Sequence, residues 1–128
     1  FEPYIAWGKI LPRDSFFQFQ GLLEFPVESG FEEELGAKAV LGRTWTTGGP
    51  FGRAWTPMLE VLGSRELRNG GDTHWDLVPQ FQVTLNTRQH VTANFGFRIP
   101  VSDSSTRETQ FAFYLLWDWF DGGVLEGW

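Results

Sequence analysis

Hydrophobic and polar residues alternate with a period of two along most of the chain, and this alternation predicts β-strands. Runs of Gly, Pro, Asp, Asn and Ser separate the alternating segments and are typical of turns. Seven segments follow the pattern: Tyr4–Leu11, Ser15–Phe25, Glu34–Trp45, Ala54–Leu67, His74–Asn86, His90–Val101 and Gln110–Phe120. Helical periodicity is nearly absent. The sequence therefore predicts an all-β fold, specifically an antiparallel up-and-down β-barrel of about seven or eight strands.

One face of the predicted strands is almost wholly Phe, Leu, Val, Ile, Ala and Trp, whereas the other face is largely polar. In a soluble barrel the apolar face fills the interior, but in an outer-membrane barrel it contacts lipid and the polar face lines a wet lumen. Most of the predicted strands are about ten residues or longer. Soluble strands usually have about five or six residues and transmembrane β-strands about nine to eleven, so the length favours a membrane.

Tryptophan residues lie near the predicted strand ends on the apolar face. They are Trp45, Trp55, Trp75, Trp117 and Trp119. An indole ring combines an apolar body with an N–H group that seeks water, which suits the boundary between lipid and water. We therefore interpret these residues as lipid-interface aromatics.

The lengths of the predicted connections also favour a membrane barrel. Two of them, Pro12–Asp14 and Thr87–Gln89, are short and lie at the same end of the predicted sheet. The connections Pro26–Glu33, Arg68–Thr73 and Ser102–Thr109 are longer and lie at the other end, whereas Thr46–Gly52 is intermediate and fits less well. Outer-membrane barrels pair short periplasmic turns with longer outside loops.

The number of predicted strands is odd, whereas bacterial barrels have even numbers of strands. Residues 1–128 are therefore predicted to form a single β-barrel domain or the C-terminal segment of a longer barrel. A chain with seven strands is expected not to close on its own, because an open edge in lipid leaves backbone groups without hydrogen bonds.

Three segments suggest a protein class: Gln80–Leu85, Val91–Val101 and Phe111–Phe120. Through them the chain resembles the C-terminal portion of Gram-negative outer-membrane β-barrel proteins. The resemblance implies an outer-membrane location, a lipid bilayer as partner and a final amphipathic strand that is read by the assembly machinery. The Asp121-Gly122-Gly123 break before Trp128 departs from that pattern.

Composition excludes several other classes. The net charge of −6, from 10 Lys and Arg against 16 Asp and Glu, argues against a nucleic-acid partner, which requires a basic surface. The chain has no Cys, so disulfide scaffolds, Cys-ligated metals and thiol nucleophiles are excluded. The sequence predicts no metal and no cofactor.

The polar face supplies the candidate pore-lining residues. They are Lys38, Glu60, Asp76, Gln80, Gln82, Asn94, Arg98 and Asp118. If the polar face lines a lumen, these side chains set its charge and its selectivity.

Three small groups of residues are candidates for cation binding or catalysis. His74, Asp76 and Glu60 suggest a cation site or an acid–base pair, although a hydrated rim is the simpler interpretation. His90, Thr92 and Asn94 resemble part of a hydrolase constellation, but the nearest hydroxyl, that of Thr84, is a poor nucleophile. The segment Glu32–Glu34 suggests a divalent cation at a rim, and a solvated acidic loop explains it better.

The sequence therefore predicts a pore-like outer-membrane barrel, or the barrel component of a larger envelope complex with other subunits as partners. The alternative is a soluble β-barrel or β-sandwich, periplasmic or secreted, that binds a small apolar ligand or a carbohydrate through exposed Trp rings. An accessory β-protein with its aromatic face against partners is a third interpretation. No enzymatic activity is predicted.

Overall fold

The computed structural model describes residues 1–25, 33–48, 53–68, 70–85 and 91–117, and within these ranges it contains strands and no helix. The strands are β1 (Tyr4–Leu11), β2 (Ser15–Glu24), β3 (Glu34–Arg43), β4 (Trp45–Thr46), β5 (Ala54–Glu66), β6 (Thr73–Thr84), β7 (Val91–Pro100) and β8 (Gln110–Trp117). The all-β prediction is confirmed. All seven predicted segments contain a strand, and the predicted Glu34–Trp45 segment divides into β3 and β4.

The strands form one antiparallel sheet in the order β1-β2-β3-β5-β6-β7-β8, and the short β4 pairs with β5 beside the end of β3. Each main strand therefore pairs with its neighbour in the chain, which confirms the up-and-down arrangement. The sheet is open. Within the described ranges β1 and β8 are its two edges and do not pair with each other, as predicted for this strand number.

The two ends of the sheet differ in their connections. The hairpin end carries the three-residue turn 12–14, and the loop end carries the connection 101–109. The connection between β6 and β7 spans 85–90, so it is as long as the connection 67–72 at the loop end. The predicted contrast between short and long connections is therefore weaker than expected, because β6 ends and β7 begins further from the predicted turn.

The register gives the whole sheet two consistent faces. In every ladder paired residues are either both odd-numbered or both even-numbered, as in Trp7↔Phe19, Ala39↔Val61 and Leu77↔Ile99. Directly opposite residues point to the same side of a sheet. The odd-numbered residues of the strands therefore form one face, the apolar face, and the even-numbered residues form the other, the polar face.

Two prolines lie inside the predicted strands, and on one side of each proline the ladder with the neighbouring strand is broken. Pro57 of β5 lies next to the break between β3 and β4, where the β3–β5 ladder ends at Gly42↔Met58. Pro79 of β6 lies in the gap between Leu77↔Ile99 and Gln80↔Gly96. A proline lacks the N–H that such a ladder position requires. Both prolines lie in the continuous β5–β6 ladder, as Pro57↔Phe81 and Leu59↔Pro79, and each is accommodated because the ladder on its other side is interrupted there.

Candidate functional site

Seven of the eight predicted pore-lining residues lie on the polar face. Lys38 is on β3, Glu60 on β5, Asp76, Gln80 and Gln82 on β6, and Asn94 and Arg98 on β7. Asp118 lies outside the described residues. The structure thus brings these residues to one side of four neighbouring strands, because their even numbering is preserved through every register.

An ionic cluster around Asp76 lies on the polar face, towards its loop end. This carboxylate is only 2% exposed. Arg98 of β7 donates to its Oδ2 from Nε at 2.6 Å and from Nη2 at 2.5 Å. Arg107 lies with its Nη2 2.7 Å from Oδ1 and 2.8 Å from Oδ2. The buried carboxylate is therefore paired with two guanidinium groups, as a buried charge requires.

Arg107 belongs to the connection 101–109, and further contacts hold this connection against the start of β6. The backbone N–H of Trp75 donates to Ser102 Oγ at 2.9 Å, and the backbone N–H of Val101 donates to the Trp75 carbonyl at 2.8 Å. His74 Nδ1 lies 3.3 Å from Asp103 Oδ2. Sequence reasoning missed Arg107, because a loop residue has no periodicity to indicate its partner.

The predicted grouping of His74, Asp76 and Glu60 does not form. Glu60 accepts a hydrogen bond from the Gln80 side chain, while His74 and Asp76 bind different partners. Ser64 is the residue opposite His74 on β5, which places Glu60 four residues further along that strand. Within the described ranges no group of three or more His, Asp or Glu side chains could hold a metal ion.

The other two small groups also provide no reactive site. His90 and Glu32 lie outside the described residues. Thr92 and Asn94 are buried on the polar face, and the Asn94 side chain is 3% exposed. Thr84 Oγ1 accepts a hydrogen bond at 2.6 Å from the backbone N–H of Ala54, so its hydroxyl already has a structural partner.

A hollow of about 220 Å³ lies on the polar face beside the Asp76 cluster. Its lining includes Lys38, Gln20, Ser64 and Arg98. Lys38 forms no ion pair with any described residue, whereas the cations of the Asp76 cluster are paired. Lys38 is therefore a cation that is available to a solute, and Glu34 places a carboxylate in the lining of the same hollow.

The apolar face is exposed over most of the sheet, whereas Val91 and Ala93 at the start of β7 are buried. Large side chains that are more than a third exposed include Trp7, Phe19, Leu41, Trp55, Leu59, Val61, Trp75, Phe95, Phe97, Ile99, Phe111, Phe113 and Leu115. Within the described strands only three residues of this face are charged, namely Lys9, Arg43 and Arg65. Arg43 is the last residue of β3 and Arg65 the last but one of β5, so both lie at the margins of the face.

Tryptophan residues mark both margins of the apolar face. Trp45 lies directly opposite Trp55 at the hairpin end. Trp75 lies opposite Gly63 at the loop end, where a Cβ on Gly63 would come within 2.6 Å of the indole ring. The glycine thus leaves the space that Trp75 occupies. Trp117 is the last residue of β8, and Trp119 lies outside the described residues.

The distance between these margins is comparable with the height of the apolar band of an outer-membrane barrel. Gly63, the partner of Trp75, follows Trp55 by eight residues on β5. At about 3.4 Å per residue the two rows are separated by about 27 Å along the strand, or about 21 Å after a tilt of about 40°. The apolar band of outer-membrane barrels is about 25 Å tall. Trp7, which the sequence analysis did not single out, lies two residues along β1 from Ile5, the β1 residue of the Trp75 row.

No protein-family model, curated protein or solved structure matches this chain. Among the described residues no helix is long and apolar enough to cross a membrane. The functional assignment therefore depends on the geometry and chemistry of the two faces.

Proposed function

We propose that this chain forms part of the wall of an outer-membrane β-barrel in a Gram-negative bacterium, as a pore or as the barrel component of a larger envelope complex. Its apolar face would contact lipid and its polar face would line an aqueous lumen. The observation that supports this proposal is the reversed burial of the two faces. Asp76, Asn94 and Thr84 are buried, while Phe97, Ile99 and Trp75 are exposed.

A lipid environment removes the main cost of this arrangement. In water, an exposed apolar surface that extends over seven strands would drive association. Acyl chains solvate the same surface without that penalty. The margins bear Trp, Arg43 and Arg65, which are residue types that suit the lipid–water interface.

Lys9 is the exception on the apolar face. Its row passes through Phe17, Leu41 and Leu59, midway between the two tryptophan rows. A charged side chain there costs about 2–4 kcal/mol at the bilayer midplane. Its four-carbon stem allows the ammonium to reach toward the nearer interface, which reduces that cost.

The polar face suits a water-filled lumen because it combines amides, hydroxyls and paired charges. Gln18 and Gln20 on β2 and Gln82 on β6 accompany the Asp76 cluster on this face. Polar interiors of this kind are typical of barrels that conduct solutes. Side chains such as Lys38 would then influence which ions pass.

Planar-bilayer conductance tests this proposal. The protein is expected to partition into detergent or vesicles and to open channels, and Lys38→Glu is expected to shift the reversal potential toward cation preference. Arg13→Glu is the matched control, because it makes the same change of charge in the exposed turn 12–14, away from the polar face. Arg13→Glu is expected to leave selectivity unchanged.

Two results would contradict the proposal. One is a protein that stays monodisperse in aqueous buffer without detergent, which would favour a soluble barrel or sandwich. The other is a channel whose selectivity responds equally to Lys38→Glu and Arg13→Glu, because the polar face would then have no special relation to the conduction path.

A further inference from the structure

The two edge strands differ from the rest of the sheet because they are largely apolar on both faces. On the polar side β1 presents Tyr4, Ala6, Gly8 and Ile10, and β8 presents Gln110, Ala112, Tyr114 and Leu116. Gln110 and, on the apolar side of β1, Lys9 are the exceptions. Seven of the eight residues of β1 and all eight of β8 are exposed. A polar lumen does not explain these residues. Surfaces that are apolar, aromatic and poor in charge are typical of the centres of protein interfaces.

The hydrogen-bond alternation shows which backbone groups lie at the open edges. Phe25 N–H donates to the Phe1 carbonyl at 2.9 Å and Leu23 N–H to the Pro3 carbonyl at 3.0 Å, so the odd-numbered residues of β1 bond toward β2. The N–H and C=O groups of the four even-numbered residues of β1 therefore point away from the sheet, where no described residue pairs with them.

At β8 the backbone groups of the odd-numbered residues, not of the even-numbered ones, lie at the open edge. Leu85 N–H donates to the Val91 carbonyl at 2.7 Å, so odd-numbered residues bond between β6 and β7 and even-numbered residues of β7 bond toward β8. The backbone groups of Phe111, Phe113 and Leu115 consequently point away from β7, with no partner among the described residues. In a bilayer such groups must be paired with another strand, since lipid offers no hydrogen bonds.

These two edges are complementary to each other in a parallel pairing. β1 and β8 run in the same direction, because six antiparallel pairings separate them. In a parallel pair, a residue that bonds across the junction lies beside a residue that bonds away from it, with both side chains on the same face. Even-numbered residues of β1 would therefore lie beside even-numbered residues of β8, and both the apolar and the polar face would continue across the junction.

The other pairings of these edges fail on geometry. An antiparallel β1–β8 pair would place even-numbered beside odd-numbered residues and would turn the apolar face of one sheet to the polar side of the next. An antiparallel pair of two β8 strands, or of two β1 strands, keeps the faces but inverts one copy. Two copies inserted in the same direction cannot form such a pair.

We propose that β8 of one copy of this chain pairs in parallel with β1 of the next copy, so that several copies build one barrel wall. This inference rests on the proposed membrane function and extends it to the assembly. Tyr4, Ala6 and Ile10 of one copy would then pack beside Tyr114 and Leu116 of its neighbour on the polar side. Because this interface joins two different edges, repeated use of it builds a ring when the rotation between neighbouring copies divides a full turn evenly.

Disulfide cross-linking tests the junction, and the absence of Cys from the chain makes every engineered Cys unique. Two populations of the full chain with different tags are co-expressed, one with Ala6→Cys and the other with Ala112→Cys, Tyr114→Cys or Leu116→Cys to cover the register. After oxidation in membranes, at least one combination is expected to give a species with both tags at twice the 14.7 kDa chain mass.

Matched variants define the contradictory results. Ser64→Cys, on the polar face of the central strand β5, is expected to give no cross-link. Cross-links only between two copies of Ala6→Cys, or only between two copies of Ala112→Cys, would overturn the proposal. A disulfide within one chain that bears both Ala6→Cys and Ala112→Cys would also overturn it, because one chain would then close its own sheet.

Flotation of the same samples with vesicles separates this inference from the proposed function. If the chain floats and no combination cross-links, the junction is wrong and the membrane proposal stands. If the chain does not float, the membrane proposal fails, and the inference that rests on it fails as well.

Discussion

On strands β6 and β7 several polar residues are buried on one face and several large apolar residues are exposed on the other, whereas Val91 and Ala93 of the apolar face are buried. On one side Asp76 and Asn94 are buried within a crowded polar surface. On the other side Phe95, Phe97 and Ile99 are between 38% and 49% exposed. In a soluble protein the exposed and buried types would be exchanged. The proposed apolar exterior and polar interior rest on this difference.

The polar face also depends on specific partners, whereas the apolar face does not. Asp76, Arg98 and Arg107 form a connected ionic group, and Glu60 binds Gln80. On the apolar face the contacts are aromatic, such as Phe81 with Phe95 at 5.4 Å between ring centroids. The effect of a substitution on the apolar face should therefore depend on the polarity of the new side chain and on its depth in the bilayer. A substitution on the polar face should act by removing the partner of an ion pair or hydrogen bond.

The largest expected effect is that of a charge at the middle of the apolar face. Phe97 lies in the row of Leu59 and Pro79, midway between the tryptophan rows. Phe97→Arg should lower the free energy of unfolding from vesicles by about 2–4 kcal/mol, because the guanidinium would lie near the bilayer midplane. Denaturant titration of vesicle-bound protein measures this.

The control for that substitution is Gln82→Arg, which adds the same charge on the polar face of β6. A loss of about 0–1 kcal/mol is expected there, because the charge would reach water. If Phe97→Arg and Gln82→Arg lower the free energy of unfolding equally, the two faces do not contact different solvents.

A smaller loss is expected when the ionic cluster loses its carboxylate. Asp76→Asn leaves Arg98 and Arg107 without their shared anion. Breaking a fully buried pair costs about 3–5 kcal/mol, and the partial exposure of both arginines reduces the expected loss to about 2 kcal/mol. A double-mutant cycle with Arg107→Gln should give a non-additive result. Strict additivity would show that Arg107 does not interact with Asp76.

Lys9→Leu is expected to stabilise the membrane-bound protein by about 1–2 kcal/mol, because it removes the charge from the middle of the apolar face. In aqueous buffer the same substitution should promote association, since it enlarges an exposed apolar surface. Unfolding titrations in vesicles measure the first effect. Destabilisation in vesicles would place Lys9 in contact with water or with an anion.

The smallest expected effect is that of Gln82→Leu on the polar face. A lumen wall tolerates a single apolar side chain of similar size, so the free energy of unfolding should change by no more than about 0.5 kcal/mol. Loss of folding in this variant would mean that Gln82 belongs to a buried polar network and that the faces are assigned wrongly.

Much of the fold could be predicted from local sequence. The period-two alternation gave the strand segments, because side chains of a strand point alternately to its two sides. Turn formers such as Pro12-Arg13-Asp14 indicated the connections. Because a three-residue connection is too short for the crossover that a parallel pair needs, the two strands that it joins pair antiparallel. The assignment of seven predicted pore-lining residues to one face followed from the same alternation.

Features that depend on distant residues could not be predicted. The break at Thr44 that separates β3 from β4 lies beside Pro57 of another strand. Arg107 reaches Asp76 only because the connection 101–109 folds against β6. The grouping of Glu60 with His74 failed because the β5–β6 register, which the sequence does not fix, places Ser64 there instead.

The most direct test of the central claim is spin-label accessibility along Met58–Leu62 of β5 in vesicles, with one nitroxide-labelled Cys at a time. Collisions with oxygen, which concentrates in lipid, should be highest at Leu59 and Val61. Collisions with a water-soluble nickel chelate should be highest at Met58, Glu60 and Leu62. Higher nickel accessibility at Leu59 and Val61, or no alternation between the two reagents, would contradict the assignment of the apolar face to lipid.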